Sequence, residues 1–101
     1  MNIRILKKGV FNYKHINQFI IFDENKITFK SYNSIVAVVE DDALTLGIDW
    51  DYSQTTLRHL YMFLEEYVND IYQLIKNKPN KKQAIKQLIN DKIIKYDENL
   101  R

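Results

Sequence analysis

The sequence predicts an α+β fold: an antiparallel β-meander of four to five strands packed by one long amphipathic helix, then a short helix and a C-terminal strand. Three observations lead there. Residues 16–48 hold β-rich runs whose side chains alternate at period two, divided by short polar connections. From Ser53 onward the apolar spacing changes to three and four residues, the repeat of a single helical stripe. The stretch "NKPN" (77–80) then closes that helix and opens another. A chain of 101 residues is long enough to close one core and too short for two, so residues 1–101 are read as a single domain.

Each strand has its own signal. "NIRIL" at the start reads as an edge strand, and "INQFIIF" (16–22) and "KITFKS" (26–31) form a hairpin across the polar "DEN". "SIVAVVE" (34–40) carries Ile35, Ala37 and Val39 on one face and Val36 and Val38 on the other. Being apolar on both faces, it is the predicted central strand. After the turn-like "EDDA", "ALTLGI" (43–48) points Leu44, Leu46 and Ile48 inward and Thr45 and Gly47 outward.

The long helix is expected over 54–76, with Leu57, Leu60, Tyr61, Leu64, Val68, Ile71, Leu74 and Ile75 on its buried stripe. Arg58, Glu65, Glu66, Asn69, Asp70 and Gln73 occupy the rest of the circumference. Pro79 ends it, since proline has no amide hydrogen to donate and disfavours helical geometry at Lys78. Asn80 then caps a second helix, with Gln83 placed to reach back in a capping box and Ala84, Ile85, Leu88 and Ile89 facing the core. "KIIKY" (92–96) is the C-terminal strand.

Composition narrows the function classes. With no cysteine, a disulfide framework, a thiolate metal site and a cysteine nucleophile are all excluded. The longest apolar runs, "IVAVV" (35–39) and "FIIF" (19–22), fall far short of the ~20 residues of a membrane-spanning helix. Arg4, Lys7 and Lys8 interrupt the apolar stretch that a secretory signal needs, so the expected setting is cytoplasmic. Ile, Lys, Asn and Tyr supply 43 of the residues, the bias of an A+T-rich coding sequence and a pointer to a low-GC bacterium or its phages. The net charge of +2 conceals three blocks: six basic and two acidic side chains in 1–39, one and eight in 40–70, and eight and three in 71–101. Blocks of this kind bear on association and not on fold.

"DWDYSQTTLRHLYMF" (49–63) crowds hydroxyls, an arginine and a histidine into one helix start. Capping accounts for much of it: Ser53 sits at the N-cap, Thr56 follows three residues on, and Asp49 and Asp51 complement the exposed amides. Such a serine cap contributes ~1 kcal/mol without any ligand. Trp50 and Tyr52 are expected to anchor the strand-to-helix crossover in the core. The alternative is an anion site in which free amides, Ser53, Thr55, Thr56, Arg58 and His59 hold a phosphate or carboxylate. No glycine-rich loop accompanies it, and Asp49 and Asp51 would repel an anion. His15 and His59 are the only histidines and fall in different elements, so neither a triad nor a metal-ligand spacing can be read. His59 is expected to pack against Phe63 with Glu66 in reach. The protein is therefore read as a non-enzyme with no cofactor and no metal.

"SYNSIVAVVEDDALTLGIDWDYSQTTLRHLYMFLEE" (31–66) resembles a pattern found in small, largely uncharacterised proteins of phages and mobile elements. In that pattern Ser31 and Tyr32 open a strand bearing Ile35 and Ala37, a variable acidic turn follows, and Tyr52, Ser53, Thr55, Thr56, Arg58 and His59 introduce an amphipathic helix ending near Phe63. About a third of the chain is covered. The resemblance implies a counter-defence role of the anti-CRISPR type: stoichiometric binding to a bacterial defence protein, foremost an RNA-guided CRISPR nuclease with its basic nucleic-acid channel. On that reading Glu40, Asp41, Asp42, Asp49 and Asp51 face the partner together, with Tyr52, Ser53, Arg58 and His59 beside them. The alternative is a nucleic-acid-binding accessory protein using the lysine-rich segment 76–95 through Lys78, Lys81, Lys82 and Lys86. A homodimer is a third expectation, because Met62, Phe63, Tyr67 and Tyr72 add apolar surface beside the helix stripe.

Overall fold

The computed structural model describes residues 2–5, as main chain, and residues 18–101. His15, and Ile16 and Asn17 of the run expected as the second strand, lie outside the described residues. Among the described residues one sheet of six strands runs in sequence order: β1 (Asn2–Ile5), β2 (Gln18–Asp23), β3 (Lys26–Ser31), β4 (Ser34–Glu40), β5 (Ala43–Gly47) and β6 (Lys95–Asp97). The first five form the antiparallel meander expected from the period-two pattern. β6 lies parallel to β5, with Thr45, Leu46 and Gly47 opposite Lys95, Tyr96 and Asp97. Parallel neighbours need a long crossover, and residues 48–94 supply it together with the helices α1 (Gln54–Tyr67), α2 (Asn69–Ile75) and α3 (Lys81–Asn90).

β4 is flanked on both sides, as expected, but its alternation is interrupted. Val36 and Ala37 are consecutive and both 0% exposed. The register explains this: Phe29 is opposite Ala37 while Lys30 is opposite Ile35, which leaves Val36 as the extra residue of a β-bulge. The two-face assignment read from alternation is thus corrected at Val36. The two-residue turns that bound β4 use left-handed backbone at non-glycine residues, Tyr32 (φ 55°) before it and Asp41 and Asp42 (φ 52° and 63°) after it. Two consecutive left-handed residues are what a tight hairpin requires, and aspartate tolerates that region better than most side chains.

The expected 54–76 helix is helical almost throughout, with one interruption. Val68 leaves helical geometry (φ −139°, ψ 55°) and separates α1 from α2. Asn69 donates its Nδ2 to the Glu65 carbonyl (3.0 Å), and the Asp70 carboxylate accepts from the Ile71 amide (2.9 Å). Side chains that bond local backbone in this way compete with the helical ladder. Beyond the break, Ile71 and Ile75 stay buried, whereas Leu74, assigned to the same stripe from its spacing, is 49% exposed.

Both caps expected from the sequence form: Ser53 Oγ accepts from the Thr56 amide and Asn80 Oδ1 from the Gln83 amide, each at 3.1 Å. α3 ends in a Schellman arrangement in which the Lys92 amide bonds the Ile89 carbonyl (3.0 Å) and the Ile93 amide the Leu88 carbonyl (2.9 Å). Lys92 occupies the left-handed position (φ 62°) where glycine is usual. The core lies between the sheet and the helices. Phe63 of α1 stacks on Phe29 of β3 at 5.6 Å, and Tyr67 packs against both Phe63 (5.3 Å) and Phe22 (5.6 Å). Met62 and Tyr72 also rest against this core and, like Tyr67, are half-buried by it.

The end of β5 departs from its predicted facing. Ile48 is 39% exposed, and Gly47 is buried under the C-terminal segment, whose Leu100 carbonyl accepts from the Ile48 amide at 3.1 Å. A Cβ on Gly47 would run into the carbonyl oxygens of Leu100 and Ile35. Glycine is required there by close backbone approach.

Candidate functional site

Antiparallel pairing of β4 with β5 places the start of β4 beside the end of β5, and so brings the "SYNS" turn next to the crossover into α1. Between them lies a cleft of about 600 Å³ lined by Ser31, Tyr32, Asn33, Ser34, Val36, Asp49, Tyr52, Ser53, Thr55 and Thr56. Its floor is a chain of hydroxyls. Ser31 Oγ and Thr56 Oγ1 are 3.5 Å apart, and Thr56 Oγ1 and Ser53 Oγ 3.1 Å apart. Ser34 Oγ donates to Asp49 Oδ2 (2.9 Å), which ties the hairpin turn to the crossover. Tyr32 and Tyr52 stand at the mouth, 54% and 76% exposed.

The residues expected at a site divide here. Tyr52, Ser53 and Asp49 line the cleft. Arg58 points to solvent outside it. His59 is only 2% exposed, and its Nδ1–H donates to the Thr55 carbonyl (2.8 Å). Burial is the main cause that lowers its pKa from the ordinary 6.5; the Thr55 bond opposes the shift and nearby Arg58 adds to it. The anion site built on Arg58 and His59 is therefore corrected. One residue faces outward, the other faces the core, and the cleft itself holds a carboxylate.

The shared acidic face is corrected as well. Glu40, Asp41 and Asp42 sit at the β4–β5 turn, whereas Asp49 and Asp51 sit at the far end of β5. The seven residues of β4 set these ends roughly 20 Å apart. Asp51 is engaged by Lys82 at 3.5 Å. Of the lysines offered for nucleic acid, Lys78 and Lys86 are exposed, while Lys81 and Lys82 are half-buried in a smaller depression of about 360 Å³ against Gln54, Leu57 and Tyr61 of α1. They do not form one free stripe.

Ser31, Tyr32, Asn33 and Ser34 were in no expected site, and Thr55 and Thr56 were expected only in the anion alternative. The signal that could have found them is the hairpin itself: once β4 and β5 are paired, residues 31–34 and 49–53 must be neighbours. Ser31, Tyr32, Thr55 and Thr56 are named positions of the motif that carries the sequence resemblance, and the fold gathers them into one place.

Fold and cleft together define a small α+β domain that presents a hydroxyl-lined, tyrosine-flanked recess where the sheet hands over to its first helix. The chain belongs to DUF8033, a family of unknown function, which it matches over residues 5–87. That span includes every residue lining the cleft. No curated protein matches the chain, and no solved structure matches it.

Proposed function

We propose that the protein is a stoichiometric, protein-binding inhibitor of a bacterial defence system, foremost an RNA-guided CRISPR nuclease, acting in the cytoplasm of the infected or lysogenic host. It works by occupying its partner and not by catalysis. One observation carries the binding surface: Tyr32 is held in left-handed backbone (φ 55°), where a bulky residue is strained, and stands exposed beside Tyr52 at the mouth of the cleft. Exposed tyrosines around a recess are the usual anchors of protein interfaces. The defence nuclease as partner rests on the resemblance of residues 31–66 to phage and mobile-element proteins. No helix among the described residues is long and apolar enough to cross a membrane.

The test is comigration with purified nuclease–guide complexes in size-exclusion chromatography, paired with target cleavage assays. The expected result is comigration and inhibition that saturates at one equivalent, both lost in the Tyr32→Ala/Tyr52→Ala double variant. Inhibition at sub-stoichiometric amounts, or comigration untouched by the double variant, would overturn this reading of the surface.

A further inference from the structure

We infer that the cleft takes a single arginine side chain from the partner, held by the Asp49 carboxylate and stacked against Tyr32 and Tyr52. This rests on the protein-binding reading above and adds the chemistry of what enters. Among the described residues, Asp49 is the one charged residue lining the cleft, and no lysine, arginine or histidine of theirs shares that lining. Ser34 bonds Oδ2 and so fixes the carboxylate's orientation. A carboxylate accepts about four hydrogen bonds, which leaves room for a guanidinium fork.

The charge balance decides against an anion. The helix start contributes a partial positive charge of about half a unit, and Ser53 already occupies the Thr56 amide. Asp49 contributes a full negative charge in the same recess. Lysine fits less well than arginine, because a planar, weakly hydrated guanidinium can stack on a phenol face while pairing with a carboxylate edge. The two exposed tyrosines supply such faces, and the hydroxyls of Ser31, Ser53 and Thr55 accept from the remaining N–H groups. A recess of about 600 Å³ has room for one such side chain and the backbone that carries it.

The experiment titrates the protein with N-acetyl-arginine methylamide and follows backbone amides by heteronuclear NMR, alongside the neutral citrulline analogue and inorganic phosphate. The expected result is saturable shifts confined to residues 31–34 and 49–56, with citrulline weaker by about tenfold and phosphate without effect. Asp49→Asn and Tyr52→Ala should each weaken arginine binding by a similar factor while the remaining amide spectrum is unchanged. Because Ser34 bonds Asp49, the exposed Tyr52 variant decides the matter if Asp49→Asn fails to fold. Equal affinity for citrulline, saturable phosphate binding in the cleft, or the absence of saturable arginine shifts would each overturn the inference. The two readings fail separately: comigration without arginine binding removes only the arginine, and arginine binding without comigration removes only the nuclease inhibitor.

Discussion

At the scale of single residues, the protein stores its sensitivity in a few side chains held against their solution preference. His59 is buried and its folded pKa lies below the ordinary 6.5, so it stays neutral in the fold while the unfolded chain takes up a proton. The unfolded state then binds more protons as pH falls, and stability must fall with it. Thermal melts should show full stability above pH 6.5 and a decline as pH drops below that value towards the folded pKa, with the slope reduced in His59→Gln. Two left-handed residues make opposite predictions about function. Lys92→Gly relieves backbone strain at the end of α3 and should raise stability by about 1 kcal/mol, read as a higher Tm, without touching the cleft. Tyr32→Gly relieves the same kind of strain, but it should weaken partner binding because the phenol at the cleft mouth is lost.

At the scale of elements, the junctions carry more information than the strands and helices they join. Gly47 lies under the C-terminal segment, so Gly47→Ala should push that segment away, cost about 1–3 kcal/mol and open the Lys92 and Lys95 bonds to trypsin. Unchanged proteolysis would show that the strap does not depend on this approach. The sheet-to-helix contact is tested by Phe63→Ala, which removes a fully buried ring stacked on Phe29 and should cost about 3–5 kcal/mol. That is a large part of the total stability of a domain of this size, so urea denaturation should show a strongly lowered midpoint. The strand runs and both N-caps were legible because alternation, apolar spacing and the positions of Ser53 and Asn80 are local signals. The break at Val68 was not, since the stripe through Leu64, Val68, Ile71 and Ile75 continues the helical repeat. Only the Asn69 and Asp70 side-chain bonds to backbone distinguish it.

At the scale of the molecule, one apolar cluster joins β2 to β5 with all three helices and reaches Ile94 beside β6. Such a core should unfold as a unit. Trp50, the single tryptophan and 4% exposed, sits at the crossover, so its fluorescence and the far-ultraviolet dichroism should follow one coincident transition. Separate midpoints would mean that the crossover and cleft open before the sheet. Charge behaves differently at this scale. The acidic block of 40–70 is contiguous in sequence, yet β4 divides its turn acids from its crossover acids. Glu40, Asp41 and Asp42 are exposed at one end of β4, and Asp49 and Asp51 lie half-buried at the other.

The sequence by itself determined the α+β class, the meander, the caps of α1 and α3 and the helix-ending role of Pro79, because each depends on periodicity or on bonds spanning three or four residues. The tertiary structure decided which polar residues meet. Pairing of β4 with β5 set Ser31–Ser34 against Asp49–Thr56, turned His59 into the core and left Arg58 outside, and separated the acids that sequence order had grouped. Those outcomes depend on strand register and on the bulge at Val36, which place residues more than a dozen positions apart in contact and leave no periodic trace in the chain.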